Sequence, residues 1–334
     1  MLFNIHQRTW DGDLLNALDI PASLLPEVRP SSGGGAQVLT SLALGGVPIA
    51  GVAGDQQAAL FGQACFHAGM AKCTYGTGAF LLQNLGAQTK ESKSRLLTTV
   101  ASQRDNKLEY AMEGSVFAAG SVVQWLRDGL GIIKSSDEVE ALALSVPDTE
   151  DVYVVPAFTG LGAPHWDPLA RGTMIGITRG TKPGHIARAA LESIAYQVAD
   201  VLGAMEEDSG IPLEVLRVDG GAARNDTLLQ FQADLLGIPV VRSARAESTS
   251  LGAAFLAGLA VGFWKDLEEL QAHWKAGKEF RPSRASKEME NLHRRWHQAL
   301  ERAKAWIEPE ETIAGTLSAG DGQNDQTITQ RRTK

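Results

Sequence analysis

From Val215 to Gly262 the chain alternates short apolar runs with helical periods, and this alternation limits the fold more than any other feature. Val215–Val218 reads as a strand, Asn225–Leu236 as a helix, Ile238–Val241 as a strand and Ser248–Gly262 as a helix. Successive strands separated by helices pair in parallel, because only a crossover long enough for a helix returns the chain in the same direction. The expected class is therefore α/β. The longest helical pattern runs from Pro183 to Asp208, with Leu191, Ile194, Val198, Val201 and Met205 on one face. Thr181 is its expected N-cap and Gly210 its exit.

Upstream, Val47–Gly54 reads as a strand and Gln57–Phe66 as a helix. Gly54-Asp55-Gln56-Gln57 forms the corner between them. A lone carboxylate there has two readings. It can take the proton of an attacking hydroxyl, with Gln56 orienting the alcohol. Equally, it can cap the helix that follows. Cys73–Tyr75 and Ala79–Leu82 flank Gly76-Thr77-Gly78 as the arms of a hairpin. Its glycines would let backbone N–H groups approach an anion, although such triplets also serve as plain turns. No Gly-x4-Gly-Lys-Ser/Thr loop occurs in the chain. Val218-Asp219-Gly220-Gly221-Ala222, followed by Asn225, offers a third glycine corner. There a flat ligand could lie on bare backbone, or the glycines could serve close packing alone.

The other expected elements are a helix over Trp10–Leu18, strands over Leu96–Val100 and Leu108–Met112, and helices over Ala118–Leu130 and Ser286–Trp306. Residues 1–5 read as the tail of a buried element, Ser31–Gly35 as a flexible loop and 309–334 as a disordered tail. The formal net charge of −8 argues against nucleic acid as a partner. The apolar run Leu251–Trp264 is too short for a membrane span, which needs about 20 residues. Cys65 and Cys73 are too few for a disulfide framework and read as reduced structural thiols. With no apolar secretion signal visible in the first twenty residues, a cytoplasmic location is expected. His293 and His297 stand one helical turn apart, but Arg294 and Arg295 between them favour a solvated face, so no resident metal site is assigned.

The blocks Gly51–Gly62, Tyr75–Gly78, Val154–Asp167, Leu191–Gln197 and Val218–Ala222 together resemble the FGGY carbohydrate kinases, with similarity running from Met1 to about Trp306. Gly54–Gln57 and Phe158–Asp167 are most similar to the glycerol-phosphorylating members. The resemblance implies an actin-like, ribonuclease-H-like ATPase fold with ATP and Mg²⁺ in a cleft between lobes. It implies ATP-dependent phosphorylation of glycerol to sn-glycerol 3-phosphate, with Asp55 as catalytic base. Asp55, Gln56 and Phe80 would contact glycerol, while Thr77, Gly120, Gln124, Gly221 and Asn225 would contact the nucleotide. On this reading residues 1–62 are the end of a first lobe, 63–308 a complete second lobe and 309–334 the tail. No Asp-x-Gly-Thr phosphate loop is present, so impaired activity is expected. The partners implied are glycerol and ATP/ADP, with a homo-oligomer left open. The rival readings are a non-catalytic nucleotide-binding module and a sibling kinase for another polyol or sugar.

Overall fold

A computed structural model describes residues 2–38, 41 and 43–308, so Met1 and the expected disordered tail lie outside the described residues. The chain opens with β1 (Phe3–Asn4) paired antiparallel with β2 (Thr9–Trp10), followed by α1 (Gly12–Ala17). Asp11 caps α1 by accepting the Leu14 N–H at 3.0 Å. The buried-tail reading of residues 1–5 is corrected here. Phe3 and Asn4 are half-buried in this local hairpin, held to the main sheet where the Tyr110 hydroxyl donates to the Ile5 carbonyl at 3.1 Å.

The glycine run is also corrected, because it belongs to β3 (Ser32–Gln37) rather than to a loop. β3 pairs antiparallel with β4 (Pro48–Gly51), and its register shifts between Ser32 and Ala36. Gly33 and Gly35 hold φ of +89° and +71° within that irregularity. Side-chain-bearing residues reach such angles only with strain, so the run builds a bulge that composition alone reads as slack.

α2 (Asp55–Gly62) leaves β4 and leads to β5 (Ala71–Tyr75), β6 (Ala79–Gly86), β7 (Leu97–Arg104) and β8 (Lys107–Val116). After α3 (Gly120–Asp128) and α4 (Glu138–Leu144), β9 (Tyr153–Val155) and β10 (Thr173–Ile175) form a separate antiparallel pair. Next come α5 (Pro183–Ser209), β11 (Leu216–Asp219), α6 (Asp226–Leu236), β12 (Val240–Ser243), α7 (Ser248–Ala260), α8 (Leu267–His273), β13 (Ala276–Phe280) and α9 (Ser286–Ala303). Among the described residues nine strands share one sheet, in the order β13-β12-β11-β5-β6-β8-β7-β3-β4. β5, β11 and β12 run parallel, as strand–helix alternation requires. β6, β8 and β7 continue the sheet antiparallel, with β8 inserted between β6 and β7, and β3 joins β7 through the pair Ser32↔Arg104.

The long helix α5 packs on β6, β8 and β9 and against α3, α4 and α6. A helix covered on so many sides is apolar around most of its circumference, as its buried Ala, Leu, Ile and Val residues show. Its N-cap is Lys182 instead of Thr181. His185 Nδ1 accepts the Lys182 N–H at 3.1 Å, while the Thr181 hydroxyl accepts from the Thr178 N–H at 2.9 Å and stays in the preceding turn. Gly210 ends the helix with φ of +67°. Glu192 is buried in α5, with Arg188 Nε donating to it at 3.1 Å. Burial pushes its carboxyl up to about 7, with the Arg188 bond opposing the rise. The folded state then binds more protons than the unfolded one from about pH 4.5 to about pH 7, so this group lowers stability as pH rises through that window. Glu192→Gln should flatten the slope of urea-unfolding free energy against pH there, by at most about 3 kcal/mol in total. An unchanged slope would remove Glu192 as its source.

α2 and α7 cross with their backbones touching. A Cβ at Gly62 would stand 1.9 Å from the Ser248 carbonyl oxygen, and one at Gly252 would stand 1.8 Å from that of Ala58. Phe61, Phe66, Phe255, Leu256 and Leu270 close a separate small core around this crossing. The free thiols of Cys65 and Cys73 are buried, and burial pushes both up, Cys65 to about 12. The expected solvated face holds only in part: His297 is exposed and His293 half-buried, and both rings bond Asp200 of α5. No helix among the described residues is long and apolar enough to cross a membrane.

Candidate functional site

Two hollows meet at the tip of the β5–β6 hairpin. Tyr75 pairs with Ala79, and Gly76 N–H closes the turn on the Gly78 carbonyl at 2.8 Å. The turn is docked on the start of α3. Gly120 N–H donates to the Gly76 carbonyl at 2.9 Å, and Ser121 N–H to the Thr77 carbonyl at 3.1 Å. A Cβ on Gly120 would reach within 2.6 Å of the Gly76 oxygen, so only glycine permits this docking. On the neighbouring parallel strand β11, Gly220 has φ of +92° and lies against the Tyr75 backbone. Gly221 comes next, with nothing within 4 Å of the position a Cβ would take.

The first hollow is a cleft of about 440 Å³ outside the carboxyl ends of β5 and β11. Such crevices are where open α/β sheets take their ligands. Thr77, Gly120, Gln124, Gly221 and Asn225 all line it, so the five residues expected to contact one ligand do share one wall. Asn225 Oδ1 caps α6 by accepting the Leu228 N–H at 2.8 Å, which leaves its amide NH₂ as a donor. Arg224 also lines the cleft and brings a cation that sequence reasoning missed. The sequence signal was a basic residue between a double-glycine turn and a helix N-cap.

The second hollow, about 670 Å³ and more open, is lined by Thr77, Gly78, Phe80, Phe117 and Thr159. Phe80 is exposed there, and Thr77 is common to both hollows. Asp55 and Gln56 line neither hollow directly. Their link to Phe80 is Lys72, whose side chain is completely buried in β5. Its ammonium donates to Gln56 Oε1, to Thr74 Oγ1 at 3.2 Å and to the Phe80 carbonyl at 3.2 Å. Burial pulls the Lys72 amine below its ordinary value, against the pull of Cys73, Asp219 and Glu113. Burial likewise raises Glu113, with Lys72 opposing and Asp55 adding to the rise. Lys72 was missed because a charged residue inside an apolar strand gives no sign of which polar groups will meet it.

Asp55 is the first residue of α2, and Gly54 is the cap. Among the described residues its exposed carboxylate accepts only from its neighbour Gln56, at 2.9 Å from the backbone N–H and 3.4 Å from the side-chain amide. The position satisfies one free N–H of the first turn and sets the negative charge at the helix's positive end. Asp219 ends β11, buried, with Oδ2 accepting from Gln63 Nε2 at 3.0 Å and Oδ1 without any partner.

Residues 71–261 match the FGGY family of carbohydrate kinases, C-terminal domain, and residues 1–62 match the N-terminal domain of the same family. Glycerol kinase of Trichlorobacter lovleyi is 58% identical over 309 residues, and that of Koribacter versatilis is 60% identical over 308 residues. Each comparison covers 92% of this chain and 62% of the relative, so the chain spans about three fifths of the length of the curated relatives it matches. Plasmodium falciparum glycerol kinase, solved with ADP, superposes with a TM-score of 0.85 at 36% identity, covering 90% of this chain and 61% of that one. Lactobacillus acidophilus xylulose kinase superposes at 0.77 with 23% identity, which speaks for the fold alone. The fold is the actin-like ATPase fold of these kinases, and the chain belongs to the FGGY family of carbohydrate kinases.

Proposed function

We propose that this chain carries ATP-dependent phosphorylation of glycerol to sn-glycerol 3-phosphate. The observation behind the reading is Thr77, which among the described residues is the one that lines both the cleft and the Phe80 hollow. A nucleotide in the cleft and an alcohol beside Phe80 would bring the terminal phosphoryl group to that junction. Gly221 and Asn225 flank the base-and-ribose end, Gln124 and Gly120 the phosphate chain, and Gln56 orients the alcohol. The glycerol oxygen bonds to the γ-phosphorus as the bond to the ADP oxygen breaks, and the hydroxyl proton passes to Asp55. Transfer of this kind depends on position and charge more than on covalent help. Buried Lys72 serves it by holding Gln56 and the Phe80 backbone in one register.

Mg²⁺ enters with ATP as part of the substrate. Asp219 fits it, since its unpartnered Oδ1 is a hard anionic oxygen of the kind Mg²⁺ accepts. The kinase names of the relatives, and the ADP in the Plasmodium falciparum structure, support this choice of ligands. Residues 1–62 form the first-lobe portion and 63–308 the second lobe in this reading. Buried reduced cysteines agree with a cytoplasmic setting.

Calorimetric titration with MgATP, alone and with glycerol, together with ADP release, tests the proposal. Binding strengthened by glycerol and release that depends on it are expected. ATP binding without any glycerol coupling would favour a nucleotide-binding module, and faster release with a pentulose would favour a sibling substrate. Gly221→Val should weaken ATP by about tenfold or more, because the added side chain enters a cleft wall that is now open. Its unfolding midpoint should stay in place, and unchanged ATP affinity would remove Gly221 from the nucleotide wall.

A further inference from the structure

α5 and α9 meet around one carboxylate, Asp200, which does not line the cleft. The Asp200 side chain is 3% exposed, and four ring nitrogens converge on it. Oδ1 lies 2.7 Å from His293 Nε2 and 2.8 Å from His297 Nε2. Oδ2 lies 2.9 Å from Trp296 Nε1 and 3.0 Å from His165 Nε2. Tyr196 stacks on Trp296 with ring centres 5.1 Å apart and on His293 at 6.0 Å, which fixes the approach of α9.

We propose that Asp200 Oδ1, His293 Nε2 and His297 Nε2 form a binding site for a divalent transition-metal ion of the zinc class, a clip that ties α9 to α5. The three donor atoms all lie within 4.8 Å of one another. Two imidazoles and one carboxylate suit zinc and its neighbours in the transition series, whereas magnesium and calcium prefer all-oxygen sets. The histidines stand four residues apart on α9, a spacing that puts two rings on one face. Metal–nitrogen bonds of about 2.0–2.1 Å in tetrahedral geometry set the ligand atoms roughly 3.3 Å apart. The rings therefore need to withdraw by about half an ångström from their present distances to Oδ1. They have room, since the side chains of His293 and His297 are 28% and 50% exposed.

The two oxygens of Asp200 divide the work. Trp296 and His165 hold Oδ2 and so aim Oδ1, as hydrogen-bond partners behind a metal ligand commonly do. Each ligating imidazole carries its proton on Nδ1 once Nε2 faces the ion. Arg295 does not oppose the ion with a free charge, because Asp151 engages its guanidinium.

The test uses the full chain, stripped with a chelator and dialysed. Titration with ZnCl₂ should show one ion per chain at micromolar affinity or tighter, with a raised unfolding midpoint. Co²⁺ in place of Zn²⁺ should give a ligand-field band of low-coordinate, nitrogen-bound cobalt. His297→Gln, at a half-exposed position, should lower affinity by at least about tenfold, while His67→Gln at an exposed site elsewhere should not. If His297→Gln fails to fold, the cobalt band of the unaltered chain decides, and its absence overturns the site. Uptake undiminished in folded His297→Gln, or no uptake with ZnCl₂ in excess, overturns it as well.

Discussion

In the proposed reaction Asp55→Asn should lower glycerol-dependent ADP release by about 10²–10⁴-fold, the range general-base catalysis supplies. The substitution keeps the size and the helix-end hydrogen bond, because Asn Oδ1 still accepts the Gln56 N–H, while it removes the negative charge and with it the capacity to take a proton. Asp55 is exposed and among the described residues bonds only Gln56, so the unfolding midpoint should fall by no more than the small helix-end charge contribution and the affinity for MgATP should barely move. Lost rate with folding and ATP binding intact separates a proton acceptor from a helix-end residue. The steady-state rate of a preparation that turns over glycerol is the measurement. Turnover that survives Asp55→Asn sinks the base assignment, whatever becomes of the nucleotide cleft.

Gly252→Ala destabilises the chain by about 3 kcal/mol or more, the upper end of what overpacking costs. The reason is the partner: the new methyl would stand 1.8 Å from the Ala58 carbonyl oxygen, and backbone on both sides leaves no rotamer to move aside. The change in urea midpoint between the two chains measures it. Gly203→Ala is the matching control, in the interior of α5 with nothing within 4 Å of its added carbon. There the methyl should be neutral or stabilising by about 0.5–1 kcal/mol, because alanine favours helix. Equal losses at both positions would mean that helix propensity, not the crossing of α2 and α7, governs the response.

The sequence was legible where glycine and apolar periodicity coincide. The strand–helix alternation gave β11, α6, β12 and α7 nearly to their ends. Gly76 and Thr77 from one glycine corner and Gly221 from the other line one cleft. β3 was hidden because its strand character comes from backbone pairing with β4 and β7, and glycines carry no side chain to reveal it. α4, α8, β9, β10 and β13 are short, and few residues leave little period to read. Lys72 and Asp200 illustrate another limit. Both draw their partners from several elements, and Asp200 meets side chains 35, 93, 96 and 97 residues away. A single-residue motif cannot carry such a meeting, since it exists only after α5 and α9 have docked.

The close contact of Gly62 with α7 has one more effect. α2 carries Asp55 at one end and this contact at the other, a separation of about 10 Å at 1.5 Å per residue. The contact is a fulcrum and α2 a stiff lever arm. A tilt of about 5° there swings the carboxylate by about 1 Å, enough to change a reaction rate by about a hundredfold. In the proposed reaction the two facing glycines would set the aim of the helix tip, and a substitution there should detune proton transfer to Asp55 as well as weaken the fold.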